Sequence, residues 1–189
     1  MYPKVSAVAL ATASLFLAIS QFSAVPAAAA PPPGGVLDFT VLRNGSEVGR
    51  HQMLFRTDAD GLKIDIRTNV AVKVAFITAY RFEHEGNEVW QAGRLARLWS
   101  KTNDDGTKHV LDVTAGGESL VVMADGREAQ KLSASIPASL WNERIVQQKN
   151  ILNTLDGTRM AIQVADLGTE AVTVKNAVVP ARHYAITGD

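Results

Sequence analysis

From Leu37 onward, apolar and polar residues alternate with a period of two, the spacing of strands that bury one face. Leu37, Phe39 and Val41 share one face of a first strand. Asn44-Gly45, a strong short hairpin signal, leads into a second strand from Glu47 to Arg56, and Asp58 to Gly61 form the next turn. The longest pattern follows. Leu62, Ile64, Ile66, Thr68, Val70, Val72, Val74, Phe76, Thr78, Tyr80, Phe82 and His84 occupy even positions, against Lys63, Asp65, Arg67, Asn69 and Lys73 at odd ones. A strand usually runs to about 5–6 residues. The expectation is therefore two strands joined by a bend, or one strand strongly coiled around a curved sheet. Around Ala71 to Ala79 the odd positions also turn apolar (Ala71, Ala75, Ile77), which predicts cover on both faces there.

Turn signals then recur at Glu85-Gly86-Asn87, Gln91-Ala92-Gly93, Asn103 to Gly106, Gly116-Gly117 and Asp125-Gly126. The runs between them, Val89-Trp90, Arg94 to Thr102, Thr107 to Thr114 and Ser119 to Ala124, read as short strands. One helix is expected near 137–148, with Ser135 as cap, Pro137 in the first turn and a stripe of Leu140, Trp141, Ile145 and Val146. Strands return at Met160–Val164, Ala171–Lys175 and Val178–Thr187. The pattern predicts an all-β domain with one short helix: an antiparallel, strongly curved meander sheet or incomplete β-barrel. Gly188-Asp189 then reads as the beginning of a turn, so Val178–Thr187 is either an ordinary terminal strand or half of a hairpin with an unpaired edge.

The residues before Leu37 have another character. Lys4 is the one charge of a short leader, Val5 to Ile19 form an apolar run, and small residues extend from Ser23 to Ala30. This predicts a cleavable signal peptide over residues 1–30, cut after Ala27 or as far on as Ala30. Pro31 to Gly35 is a linker, and 36–189 the single domain. The apolar run is shorter than the ~20 residues of a spanning helix, so no stable membrane span is expected after cleavage. The predicted destination is the periplasm or the exterior, and a chain without cysteine suits an oxidising compartment.

Absence of cysteine also excludes thiol nucleophiles, thiolate metal sites and disulfide frameworks. With 19 basic and 19 acidic side chains, there is no electrostatic footprint of a nucleic-acid binder. His84-Glu85-Gly86-Asn87-Glu88 begins like a zinc-protease motif, but Glu88 stands where the second histidine is required. Histidines 51, 84, 109 and 183 are better read as isolated strand residues than as a metal site. Lys101 occupies the first ligand position of the calcium-like stretch Lys101 to Asp112, so a hairpin turn explains Asp104-Asp105-Gly106 better. Glu83 and Glu85, beside Arg81, read as an ion-paired stripe. No nucleophile elbow or phosphate loop is present, so no catalytic residue, metal or cofactor is assigned.

Ala79-Tyr80-Arg81-Phe82-Glu83-His84-Glu85 and Glu88-Val89-Trp90-Gln91-Ala92-Gly93-Arg94-Leu95 are similar to a group of exported bacterial proteins that form a domain-of-unknown-function family. Ser100 to Gly106, Ser139-Leu140-Trp141-Asn142, Leu152 to Gly157 and Ala181-Arg182-His183-Tyr184 add to the likeness. The resemblance implies an all-β exported domain and brings no activity or site residue with it. It also implies a further hairpin bearing a Trp-Tyr-Asp element after the present end, which favours the half-hairpin reading.

The aromatics carry the remaining functional expectation. They read either as a sheet core plugged by the helix or as the walls of an apolar cavity gated by Trp141. The second reading makes the chain a binding module for a lipid or other hydrophobic small molecule, bounded by Val70, Val72, Val74, Phe76, Tyr80, Trp90, Trp99 and Trp141. Two alternatives stand beside it: an envelope structural or interaction protein pairing with a protein partner through the Val178–Thr187 edge, or a hydrolase with an unlocated site.

Overall fold

The structure is a computed structural model that describes residues 31–74, 76–174 and 176–188, with Val74 described through its backbone only. The signal peptide expected over 1–30, with its expected cleavage site, lies outside the described residues. Eight strands form an antiparallel meander in chain order: β1 (Val36–Arg43), β2 (Ser46–Asp58), β3 (Gly61–Val74), β4 (Ile77–Gln91), β5 (Arg94–Asp104), β6 (Thr107–Gly116), β7 (Ser119–Ala124) and β8 (Gln130–Ser133). The sheet does not close on itself: in the strand order β1 and β8 are its two ends. A smaller sheet, β11-β10-β9, follows, built from β9 (Asn150–Leu152), β10 (Arg159–Val174) and β11 (Ala177–Gly188). This is the expected open, all-β meander.

The alternation places apolar side chains on one inner face. Met53, Phe55, Ile64, Ile66, Leu98, Leu111, Val113, Leu120 and Val122 form one buried cluster there, completed by Ile136 and Leu152 from the segment that crosses it. The outer face carries exposed ion pairs such as Arg50–Asp38, Arg67–Glu85 and Arg97–Asp112. Exposed pairs contribute at most about 1 kcal/mol each, so burial of the inner face is what holds the sheet. A second, smaller cluster of Ile145, Ile151 and Ile162 packs the crossing segment against the β10–β11 hairpin.

Several expectations are corrected. Phe76 and Ile77 are exposed, so the stretch around them is not covered on both faces, and the strands expected at Met160–Val164 and Ala171–Lys175 are one strand, β10. The long even-numbered run is neither one strand nor two strands joined by a bend. The chain reverses between Val74 and Ile77, and β3 and β4 pair side by side. The alternation survives the reversal because the register shifts after Val72/Lys73: Lys73 faces Thr78, but Val72 faces Tyr80. That one extra residue turns an even-to-odd pairing into an even-to-even one, and both strands then present even positions inward. Glu85-Gly86-Asn87 is not a turn but the middle of β4, where Gly86 faces Ile66 and Ser100. A Cβ at Gly86 would crowd the His84 ring nitrogen Nε2, so the glycine there serves packing and not reversal. Between Asp125-Gly126 and the crossing segment lies β8, unanticipated because Leu132 alone among its four residues turns toward the core.

The helix expected near 137–148 is replaced by an extended crossing segment with one 3₁₀ turn, Glu143–Gln147. Ile136 and Ala138 exchange backbone hydrogen bonds with Leu152, and Leu140 takes a left-handed φ of 63°, which stops a helix from running through it. Asn142, not Ser135, caps the turn, its Oδ1 accepting from the Arg144 amide.

Gly157 closes the crossing segment at φ 73°, and a Cβ there would press into Val122 and Leu111. Gly157→Ala therefore combines a left-handed backbone penalty of about 1–2 kcal/mol with overpacking of about 1–3 kcal/mol. Gly126→Ala, at φ 70° with open space around it, meets only the first penalty. Urea unfolding should show a loss of about 2–5 kcal/mol for the former and about 1–2 kcal/mol for the latter. Equal losses would refute the packing of Gly157 against the inner face.

Candidate functional site

The register arranges the inner face in rows across the strands. One row runs Phe39, His51, Thr68, His84, Thr102, His109, each residue opposite the next. Threonines thus separate three of the four histidines. Thr68 Oγ1 and His51 Nδ1 lie 2.7 Å apart, Thr102 Oγ1 and His84 Nδ1 2.8 Å, and His109 Nδ1 meets Asp125 Oδ2 at 3.1 Å. Phe39 stacks on His51 and Phe82 on His84, with centroids at 6.1 and 6.3 Å. Burial lowers both His51 and His84 from 6.5, and for His84 the nearness of His51 adds to the effect, so both rings are neutral at pH 7.

Further along, a second row runs Phe55, Ile64, Glu88, Leu98, Val113. Glu88 is only 1% exposed in the middle of this apolar row. Its Oε2 accepts from Trp90 Nε1 at 2.7 Å and from Trp141 Nε1 at 3.0 Å. The two indoles meet edge to face at 5.2 Å, and Trp141 meets Phe55 likewise at 5.5 Å. Desolvation raises the Glu88 carboxyl above 4.5, opposed by the donors of Trp141, Ser139 and Trp90. Ser139 acts here through nearness only: Glu88 Oε1, Ser139 Oγ and Asn142 Nδ2 are all buried without a hydrogen-bond partner.

This Glu88–Trp90–Trp141 septum separates two cavities. The first, of about 390 Å³, is floored by Leu37, Met53 and Ile66, walled by Phe39, Phe82, His51, Thr68 and His84, and roofed by Ala138 to Trp141 with Thr154 and Leu155. None of its fourteen lining residues is Asp, Glu, Lys or Arg. The second, of about 370 Å³, has apolar walls of Trp90, Leu95, Leu120 and Ile136, and both Arg94 and Arg144 line it. Arg144 Nη1 donates to the Gly93 carbonyl at 3.0 Å. The roof of the first cavity is held by Ser100 Oγ donating to the Thr154 carbonyl at 2.5 Å and by Trp141 on Glu88. Between these anchors Leu140 is 66% exposed at the rim, in its left-handed conformation.

The residues expected to bound a cavity separate into groups. Trp90 and Trp141 meet at the septum, one lining each cavity. Val70, Val72 and Tyr80 keep inner-face parity but lie toward the β3–β4 reversal, outside either lining, with the Tyr80 hydroxyl on Asp104. Phe76 is fully exposed at the hairpin tip, and the side chain of Val74 lies outside the described residues. Trp99 points to the outer face, between Asn87 and Asp112 in the register, because β5 turns even positions inward. His51 and His84 enter a lining instead of standing isolated, while His183 on β11 pairs with Glu170 at 3.2 Å. In the sequence Glu88 figures only as the residue that breaks the zinc-protease pattern, although the even-position parity through His84 continues to Gly86, Glu88 and Trp90 and signals an inward carboxyl. Glu83 and Glu85 pair with Arg81 and Arg67, as expected. Among the described residues no group of three or more His, Asp or Glu side chains is arranged to hold a metal ion, and no helix is long and apolar enough to cross a membrane.

A family model described as a domain of unknown function (DUF6134) matches residues 39–189, in agreement with the resemblance read from the sequence. No curated protein and no solved structure matches the chain.

The septum predicts a pH dependence. Below pH 4.5 the Glu88 carboxyl is protonated in both the folded and the unfolded chain. As pH rises past that value the unfolded chain releases its proton first, and folding stability falls until the raised folded value is passed. Glu88→Gln keeps an acceptor for both indoles but has nothing to ionise. The stability of this variant relative to the unsubstituted protein should therefore rise between pH 5 and pH 8 in urea titrations. A difference that stays flat or shrinks would show that the buried carboxyl is not held protonated.

Proposed function

The chain belongs to the DUF6134 family, which carries no assigned activity, and from that premise we propose that it is an exported, non-catalytic binding module for a lipid or other hydrophobic small molecule. The observation that carries the reading is the uncharged, largely apolar cavity under the Ala138–Trp141 roof. Its volume of about 390 Å³ falls within the ~300–1,000 Å³ of small-molecule sites. The roof supports it further, since Leu140 holds a conformation that costs an L-residue about 1–3 kcal/mol and is found at ligand clamps. Among the described residues neither His51 nor His84 is hydrogen-bonded to a carboxylate that would orient it as a base, which favours binding over turnover. Export rests on the leader-like character of residues 1–30.

A second reading, association with an envelope protein, is favoured by the β10–β11 hairpin. There β11 ends the small sheet, and Val174, Val178 and Val179 are exposed. It requires concentration-dependent association that lysines at positions 178 and 179 abolish.

Native mass spectrometry of the protein expressed into a periplasm, followed by organic extraction, tests the first reading. A stoichiometric adduct that extracts as lipid is expected. Ala138→Trp, which fills the roofed cavity, should remove the adduct while leaving the fold intact by circular dichroism. A clean apo mass that does not change on incubation with lipid extract would overturn the reading.

A further inference from the structure

We propose that the occupant of the roofed cavity is an uncharged amphiphile, with a hydroxyl or carbonyl head hydrogen-bonded at the Nε2 atoms that His51 and His84 leave free and an apolar body against Leu37, Met53 and Ile66. The inference rests on the binding reading above and specifies the class of molecule.

Among the described residues the lining contains no Asp, Glu, Lys or Arg. An ionised head drawn into it would lose its hydration without a fixed opposite charge in exchange. What the lining offers instead is hydroxyls and two imidazoles. Thr68 and Thr102 occupy Nδ1 of the two rings, and neither Nε2 has a hydrogen-bond partner among the described residues. His84 Nε2 is also not among the buried unpartnered atoms, so a small molecule in the cavity can reach it. Because His51 and His84 both stand opposite Thr68, the register itself puts the two rings on one wall.

The hydroxyl partners matter for selectivity. A threonine hydroxyl either donates to Nδ1 or accepts from it, so each ring can take the tautomer the ligand needs. With Nδ1 accepting, Nε2–H donates to a carbonyl; with Nδ1 donating, bare Nε2 accepts from an alcohol. A carboxylate partner would have fixed the tautomer and favoured the charged ring. The second cavity supplies the contrast, since Arg94 and Arg144 would suit an anion there.

Matched probes decide the matter: 1-dodecanol, dodecanoate and dodecylammonium, titrated below their micellar concentrations at pH 7.5 and followed by tryptophan fluorescence on the delipidated protein. Dodecanol should bind at least about tenfold more tightly than either ion. His51→Leu and His84→Leu should each weaken dodecanol binding about five- to tenfold. Binding of dodecane, delivered in the same way, should be unchanged in both variants. His84 is buried and its variant could fail to fold; His51 is half-buried, so its variant alone suffices. If none of the four probes binds, the binding reading itself falls. If an ion matches the alcohol, binding stands and the uncharged-head assignment is overturned. If the alcohol is preferred but a folded His51→Leu protein retains its full affinity, the imidazole recognition is wrong.

Discussion

Two indole N–H groups converging on one buried carboxyl oxygen hold the inner face and the crossing segment together. Trp90 and Glu88 lie two residues apart on β4 and so point the same way, while Trp141 arrives from a segment 53 positions away in sequence. A carboxyl this deep is costly to bury and tolerable only when its acceptor sites are taken. Glu88 therefore selects, among all ways of laying an apolar segment on an apolar sheet, the one that brings an N–H donor to its Oε2. Greasy contact alone would allow sliding; a hydrogen bond between buried groups does not. The unpartnered Oε1 and Ser139 Oγ mark the side of the carboxyl where the fit is loosest, and Ser139 belongs to the roof of the first cavity.

The sheet beneath depends on parity. Every antiparallel neighbour must present its apolar face to the core, and since β3 and β4 both carry theirs on even positions, pairing odd with even there would send half of those residues to solvent. At the β3–β4 reversal the register shift after Val72 absorbs the mismatch, and at the β4–β5 hairpin a shift between Val89 and Trp90 does so again. The second shift, one extra residue on β5, turns Leu95 inward opposite Trp90, which the even parity of β4 already places beside Glu88 and Trp141.

Much of this was legible from alternation and turn residues. Asn44-Gly45, Asp105-Gly106 and Asp125-Gly126 form turns with positive φ at both residues, as their side chains predict, and Ala92-Gly93 does the same although alanine does not favour it. The reversal between β3 and β4 was not legible, because the register shift keeps the even-position pattern unbroken through a segment without strong turn residues. Gly86 misled in the opposite direction, since a glycine needed for room beneath a histidine looks, in sequence, like one needed for a turn. The crossing segment has the apolar spacing of a helix but is fixed by long-range partners, Leu152 and Glu88, that local propensity cannot register. Trp99 shows where chemistry overrode arithmetic. Its place between Arg97 and Lys101 on odd positions signals the outer face, yet its aromatic character suggested the cavity.

The septum also sets how the two cavities relate. The crossing segment is pinned on the far side by Arg127 donating to the Asp156 carbonyl and by Gly157 seated on Val122 and Leu111, and in its middle by Trp141 and the 3₁₀ turn. Rigid-body lifting of the segment would break the Ser100–Thr154 and Trp141–Glu88 bonds and both clusters of buried residues at once. The least costly displacement is local. It moves Ser139 and Leu140, the first a buried hydroxyl without a partner and the second a strained and exposed leucine. Both residues line the cavity that has no charge, and neither lines the one that holds Arg94 and Arg144. A molecule entering the first cavity meets a wall the fold has already fixed and a short roof the fold has left unsatisfied. This asymmetry, and not cavity size, distinguishes two spaces of nearly equal volume.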